Sequence, residues 1–358
     1  MTADRPRIGL VLGGGGLKGF AHIGVLEVLH AAGIAPVVMA GSSIGSLIAS
    51  AYALGTPVAK MRERAKTIRR KDLFRVNAAG FARGLLRSPS FYNAEPLREL
   101  IASVIPDRRF DQLSQPLLVN TVDLERGMQV VWGAPGFRAA SIRDAVYASC
   151  ALPGFFPPGV VTGRTCVDGG TIDNMPVTAA AEGLDLLIAV DVGNSEVAYA
   201  ADVTQEGIAG IFMRSATLMM RTLQHMPLVA WQGPPLVLIR PHVSRHGWFN
   251  FDKIPTLIDA GTQAAEEVLD AIPKALAAGR GIFPRKLVTI EISKERCTGC
   301  GQCIAMAPHA MARGEDGKAV ALQRQFNWSP VDSDFTVHCP TEAIRITRDA
   351  ALPSAAVL

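Results

Sequence analysis

Apolar residues fall in short blocks along the first part of the chain, and the spacing between blocks sets the first expectations. Ile8 to Leu12 is a run of five, broken by four glycines and followed by Ile23, Leu26 and Leu29 on one helical face. A short continuous apolar run suits a buried strand, and recurrence every three residues suits a helix. The sequence then repeats the unit: Val37 to Ala40 reads as a second strand, Gly41 to Gly45 as a tight turn, and Leu47 to Leu54 as a helix of small residues. Further strands are predicted at Leu117 to Thr121, Gln129 to Trp132 and Leu186 to Val192. Strand, turn and helix in alternation predict an α/β domain with a mostly parallel sheet covered by helices.

The pattern changes near the C-terminus. A helical stretch from Ala264 to Ala278 is followed by Gly279-Arg-Gly-Ile-Phe-Pro-Arg, which reads as a linker. Beyond it come a strand (Leu287 to Ile292), a cysteine-rich turn with a helix, a hairpin around Gly314 to Gly317, and a second helix and strand ending at Ile346. The expected organisation is a large domain at 6–280, a linker at 281–285, a small α+β domain at 286–348 and a tail at 349–358.

Composition narrows the function classes. A chain of 358 residues exceeds what one hydrophobic core usually supports, in keeping with two domains. A net charge of +4 gives too weak a field to announce a nucleic-acid partner. No stretch supplies eighteen uninterrupted apolar residues, so the expectation is a cytoplasmic protein whose membrane contact, if any, is peripheral and at the inner surface. Residues 58–91 are the candidate for that contact. Lys60 to Lys71 holds seven basic residues against Glu63, with Val58, Met61, Ala65 and Ile68 as an apolar stripe, and Phe74, Phe81, Leu85, Leu86 and Phe91 follow. Packing of the stripe on the domain is the competing account. Met213, Met219, Met220 and Met226 are expected on a core face rather than in an acyl pocket.

Three segments carry candidate chemistry. Gly41-Ser42-Ser43-Ile44-Gly45 places Ser43 at a strand-to-helix turn, where backbone N–H groups and the helix dipole favour developing negative charge. By itself it also fits a helix-capping serine. Gly13-Gly14-Gly15-Gly16-Leu17-Lys18-Gly19 opens the first helix, and its glycines let several N–H groups converge as an oxyanion hole requires. The same run satisfies G-x-G-x-x-G, but a dinucleotide site needs an acid ending the second strand, and Val37 to Ser43 offers none. No nucleotide cofactor is expected. Cys166-Val167-Asp168-Gly169-Gly170 presents a carboxylate followed by paired glycines, a candidate base or an ordinary turn aspartate.

Taken together, these residues resemble the patatin-like phospholipase family, whose pattern is G-G-G-x-R/K-G, then G-x-S-x-G, then D-G-G/A. Ala148 to Pro158 resembles the family's A-S-x-A-x-P-x-x-F-P block, and the resemblance runs over residues 6–280. It implies a three-layer α/β/α sandwich and a serine lipid acyl hydrolase acting through an acyl-enzyme. Ser43 would be the nucleophile, Asp168 its base, and the N–H groups of Gly14, Gly15 and Gly16 the oxyanion hole. Lys18, Gly19, Gly41, Gly45, Gly169 and Gly170 would support the motifs, with Lys18 either near a phosphate head group or packed with its ammonium in solvent. The implied substrates are phospholipids or lysophospholipids. His225, His242 and His246 follow Asp168 outside any triad motif, and His22 reads as a packed residue.

Cys297-x-x-Cys300-x-x-Cys303 with a distant Cys339-Pro340 resembles a bacterial-type ferredoxin domain over residues 286–348. Ala307 stands where a two-cluster ferredoxin has a further cysteine, so the resemblance implies one [4Fe-4S] cluster held by Cys297, Cys300, Cys303 and Cys339. Zinc is the alternative, disfavoured because zinc sites usually use two separated pairs. Cys150 and Cys166 read as buried thiols near the active-site loops. A redox partner protein follows from the cluster domain. Three functional readings stay open: an esterase with an appended cluster, a redox-sensing or electron-transfer protein whose hydrolase domain binds lipid or a partner, and a cluster that controls the esterase.

Overall fold

The computed structural model describes residues 5–78, 80, 88, 90–193, 203–243 and 251–348. Phe81, Leu85, Leu86 and His246 lie outside the described residues. The chain forms two compact units, Met1–Gly281 and Ile282–Leu358.

In the first unit the strands β1 (Ile8–Leu12), β2 (Val38–Ser42), β3 (Leu117–Asp123), β4 (Met128–Trp132), β5 (Gly159–Val161), β6 (Arg164–Asp168), β7 (Leu186–Val190) and β8 (Leu236–Ile239) share one sheet. Its order is β5-β6-β3-β2-β1-β7-β8, with β4 alongside β3. β3, β2, β1, β7 and β8 pair in parallel in that order, whereas β4 and β6 pair antiparallel with β3 and β5 antiparallel with β6. Every residue of β1, β3, β7 and β8 is buried. Strands covered on both faces read as continuous apolar runs, which is why period-two alternation is missing from them. The helices that cover the sheet are α1 (Ala21–Ala31), α2 (Ile44–Ala53), α3 (Val58–Thr67), α4 (Glu95–Val104), α5 (Ile142–Cys150), α6 (Gly207–Val229), α7 (Ile254–Glu266) and α8 (Ala271–Ala278). This is the expected α/β/α sandwich. Among the described residues no helix is long and apolar enough to cross a membrane.

Two expectations about helix faces are resolved here. Met61, Ala65 and Ile68 are buried, and Arg62 pairs with Glu27 and Asp259, so the apolar stripe of α3 packs on the domain. Of the methionines on α6, Met219 is 57% and Met226 65% exposed, which overturns the placement of these two on a core face, while Met220 is half-buried and the Met213 side chain lies outside those described. The cause is that α6 is apolar nearly all round, and its inward side is the one carrying Gln224 and Leu228.

In the second unit β9 (Lys286–Ile292) lies between β12 (Gln325–Trp328) and β13 (Ile344–Arg348), antiparallel to both. β10 (Met311–Arg313) and β11 (Ala319–Ala321) form the hairpin around Gly314 to Gly317, and α9 (Gln302–Met306) follows the cysteine-rich turn. Val288, Ile290, Met311, Trp328 and Phe335 make its core together with Cys303. The second helix expected here is only a 3-10 turn, Asp334–His338.

Candidate active site and cysteine site

β2 ends at Ser42 and α2 begins at Ile44, leaving Ser43 alone at the turn with φ 52° and ψ −131°. A non-glycine residue held there stores on the order of 1–3 kcal/mol of strain and persists only where its surroundings enforce it. Two bonds do so: Ser43 N–H donates to Ser149 Oγ at 2.8 Å, and Ser43 O accepts from Ser46 Oγ at 2.6 Å. The turn also needs close backbone approach. A Cβ on Gly45 would fall 2.0 Å from the carbonyl oxygen of Leu12, so only glycine lets the elbow rest against the end of β1.

Asp168 ends β6 and is 3% exposed. Its carboxylate accepts from Gly170 N–H at 2.8 Å. Burial raises its pKa from 3.8 to about 6, against the opposing pull of the neighbouring Ser43 hydroxyl and of Gly170 N–H. A base with that pKa is ionised at neutral pH and still basic enough to take a proton. Cys150 lies beside it. Burial, then the Asp168 charge, pushes that thiol far above its usual range, so it stays neutral. Cys166 is buried within β6.

The glycine loop is held at successive peptides. Gly13 N–H donates to Val190 O at 3.0 Å, and Gly13 O accepts from His22 Nε2 at 2.8 Å. His22 is fully buried, and burial lowers its pKa to about 4, so it is neutral with its proton on the nitrogen that faces Gly13. Gly14 N–H donates to Asn174 O at 3.1 Å, and Gly14 O accepts from Asn174 Nδ2 at 2.9 Å. A Cβ on Gly14 would lie 3.0 Å from the Cβ of Ser43, which places the loop against the nucleophile candidate. These bonds correct one expectation: Gly14 N–H is taken by Asn174, so it is not a donor waiting for an oxyanion. Gly15 and Gly16 N–H have no backbone partner recorded among the described residues. In a trans peptide the N–H points opposite to the carbonyl, so the grip of Asn174 on Gly14 O turns Gly15 N–H away from Asn174.

Lys18 is 2% exposed, and burial lowers its pKa, so its ammonium does not sit in solvent. His225 is half-buried on α6 and His242 is exposed; no histidine is recorded as a partner of Ser43 or Asp168 among the described residues.

Sequence reasoning passed over two positioning residues, one inside a segment it had singled out and one four residues beyond Gly170. Ser149, fully buried on α5, holds the Ser43 amide, and Asn174, 5% exposed, clamps the glycine loop. Asn174 Nδ2 also donates to Gln224 Oε1 at 3.0 Å, Gln224 Nε2 donates to Asp191, and Asp191 pairs with Arg240. The only signal was the blocks themselves, because each bond joins residues far apart in the chain.

In the second unit Cys297, Cys300, Cys303 and Cys339 line one small cavity. Ala319 N–H donates to Cys297 Sγ at 3.4 Å and Ala343 N–H to Cys339 Sγ at 3.3 Å, the N–H···S bonds that stabilise thiolates. Among the described residues no three His, Cys, Asp or Glu side chains are gathered at metal-ligand spacing, so the structure displays the donor set around a cavity and not a closed site. Four cysteines with backbone donors at their sulfurs fit an iron–sulfur cluster in chemistry and number.

A serine on a strained elbow, a buried carboxylate beside it and a clamped glycine loop make up the candidate site. Residues 10–181 match the model of the patatin-like phospholipase family, and residues 290–346 match that of the 4Fe-4S single cluster domain. The chain thus carries a segment similar to the patatin-like phospholipases at 10–181 and one similar to single-cluster 4Fe-4S domains at 290–346. It is 33% identical over 202 residues to an uncharacterized NTE family protein of Mycobacterium bovis, covering 56% of this chain and 53% of that protein. It is 32% identical over 196 residues to lysophospholipase NTE1 of Kluyveromyces lactis, covering 54% of this chain and 13% of that protein. The chain therefore spans about half the length of the mycobacterial relative and far less of the yeast one. Among solved structures, VipD of Legionella pneumophila aligns with a TM-score of 0.40 at 15% identity, covering 75% of this chain and 67% of that one.

Proposed function

We propose that residues 6–280 are a carboxylic ester hydrolase acting on lipid acyl chains, with phospholipids or lysophospholipids as substrates, joined through 281–285 to an iron–sulfur domain at 286–348. The observation that carries it is Ser43 held at φ 52° on the strand-to-helix elbow beside a buried Asp168 whose pKa stands near 6 against the pull of the Ser43 hydroxyl. The Ser43 hydroxyl attacks the ester carbonyl while Asp168 takes its proton. Gly15 and Gly16 N–H hold the oxyanion of the tetrahedral intermediate, each such donor contributing on the order of 3 kcal/mol. Collapse expels the alcohol, which takes the proton from Asp168, and leaves the acyl chain on Ser43. Asp168 then deprotonates a water, which attacks the acyl-enzyme, and the proton returns to Ser43 as the fatty acid leaves.

The test is Ser43→Ala with a fluorophosphonate probe. Wild type is expected to be labelled and to hydrolyse acyl esters, and the variant to do neither while melting at the wild-type temperature. Hydrolysis retained by a folded variant would refute the nucleophile assignment.

Cys297, Cys300, Cys303 and Cys339 would hold a [4Fe-4S] cluster, which supplies one-electron transfer when bound. The match to a single-cluster domain favours a second reading in which a redox partner docks here, or in which the cluster sets the rate of hydrolysis. Anaerobic protein is expected to absorb in the visible and to lose that absorption in Cys300→Ser. Equal hydrolysis with the cluster oxidised, reduced and removed would exclude control. A cytoplasmic location with peripheral contact through residues 58–91 belongs to the same proposal, although on α3 only charge is left to meet a bilayer.

A further inference from the structure

The clamp on the glycine loop continues as a buried relay. Asn174 Nδ2 donates to Gly14 O at 2.9 Å and to Gln224 Oε1 at 3.0 Å, and Gln224 Nε2 donates to Asp191 Oδ1. Asp191 Oδ2 in turn accepts from Arg240 Nε at 3.3 Å. Asn174, Gln224 and Asp191 are all buried, and they come from the turn after β6, from α6 and from the residue that follows β7. Gly193 lies against them: a Cβ there would stand 2.6 Å from Asn174 Nδ2 and 3.0 Å from both Gln224 Oε1 and Gly14 O. Only glycine leaves room for those three atoms to converge.

Such a relay has a direction. An amide side chain carries a donor on one side and an acceptor on the other, so Asn174 and Gln224 could each bond either way round. The Asp191 carboxylate, paired with Arg240, only accepts. It draws Gln224 Nε2 toward itself, which turns Gln224 Oε1 to Asn174, which brings Asn174 Nδ2 to Gly14 O. Reversing Asn174 would set its Oδ1 against two acceptors, Gly14 O and Gln224 Oε1. Reversing Gln224 as well would only move the clash of acceptors to Asp191. In a buried site such mismatches are costly, so the charge at one end decides the orientation at the other.

We propose that Asp191 is a positioning residue for ester hydrolysis. By fixing the polarity of the Gln224–Asn174 relay it holds the peptide that joins Gly14 O to Gly15 N–H, and so aims that N–H at the oxyanion. The inference rests on the hydrolase reading, and Asp191 acts through Asn174 rather than on the substrate.

Asp191→Asn keeps the size of the side chain and removes the direction, because an amide satisfies Gln224 either way round. It is expected to lower kcat on a short-chain ester about 5- to 50-fold, with KM within about twofold of wild type. Asp191→Asn/Gln224→Glu moves the carboxylate one link along the relay. There it accepts from the amide introduced beside it and from Asn174 alike, so Asn174 again presents Nδ2 to Gly14 O, and kcat is expected to recover to within about threefold of wild type. Deuterium uptake by peptides covering Gly13–Phe20, which needs no turnover, is expected to quicken in the single variant and to return to the wild-type rate in the double. Should Asp191→Asn fail to fold, Gln224→Met leaves the Asp191–Arg240 pair in place and is expected to show the same loss of kcat and the same faster uptake. Wild-type kcat in either folded single variant, or a double variant as slow as the single, overturns the proposal. If wild type hydrolyses no ester, the hydrolase reading falls instead, and deuterium uptake alone decides whether Asp191 holds the loop.

Discussion

Replacing Asp168 with Asn separates the energetic cost of a buried charge from its use. The carboxyl is 3% exposed, and its pKa rises from 3.8 to about 6 on folding. A group whose folded pKa is raised binds its proton more tightly in the native state. The folded chain therefore loses stability, relative to a permanently neutral side chain, as pH climbs from 3.8 through 6, and the loss is complete above that window. The shift of roughly two units corresponds to about 3 kcal/mol at 1.36 kcal/mol per unit. Asp168→Asn keeps an oxygen for Gly170 N–H and carries no charge at any pH. It is expected to be more stable than wild type by about 1 kcal/mol at pH 4.5 and about 3 kcal/mol at pH 8, while acyl-ester hydrolysis falls to background. Urea denaturation of both chains at the two pH values measures the difference. An advantage that does not grow with pH, or a wild type more stable than the variant at pH 8, would refute the assignment of that cost to the buried carboxylate.

Three further outcomes follow from the same geometry. In wild type, kcat/KM is expected to rise with pH through about 6 and to level above it, because only the ionised Asp168 can accept the Ser43 proton; a flat profile between pH 5 and 8 would remove Asp168 as the base. Asn174→Ala releases Gly14 O and the Asn174–Gln224 bond, and is expected to lower kcat about 10- to 1000-fold with little change in KM, as loss of an aligned oxyanion donor does. An effect confined to KM would count against the clamp. Gly45→Ala puts a methyl 2.0 Å from Leu12 O, and is expected to cost more than about 2 kcal/mol in chemical denaturation and to abolish probe labelling.

The parallel half of the sheet was legible because β1, β2 and β3 each appear as an apolar run bounded by glycine or proline, and the elbow follows from two glycines flanking Ser43. Of the antiparallel flank only β4 was, as the run from Gln129 to Trp132. β5 is three residues long and sits among prolines and glycines, so no periodicity marks it. Gly14 was counted among the expected oxyanion donors for a related reason. Four glycines in a row look equivalent in sequence, and what distinguishes Gly14 is a bond to a residue 160 positions away. The outward methionines illustrate a third limit. A helix apolar on every side shows no preferred face, and only the tertiary partner Asn174 decides that Gln224 points in.

Strand register explains why a base on an antiparallel strand can reach a nucleophile on a parallel one. Ser42 pairs with Asn120 of β3, and Asp168 pairs with Thr121, one residue further along the same strand. β6 runs against β3, so it must stop near the level at which β2 gives way to the elbow, or its last residue would pass the serine. The turn at Gly169 and Gly170 stops it there: a Cβ on Gly169 would lie 2.6 Å from Asn120 O. The chain then needs only six residues to travel from Asp168 to Asn174, which returns to the glycine loop at the end of β1. Base and clamp are thereby fixed by one short segment, and a shift of that segment moves both together. Gln224 ties the same Asn174 to α6, so that helix also bears on the glycine loop through the bond from Asn174 to Gly14 O.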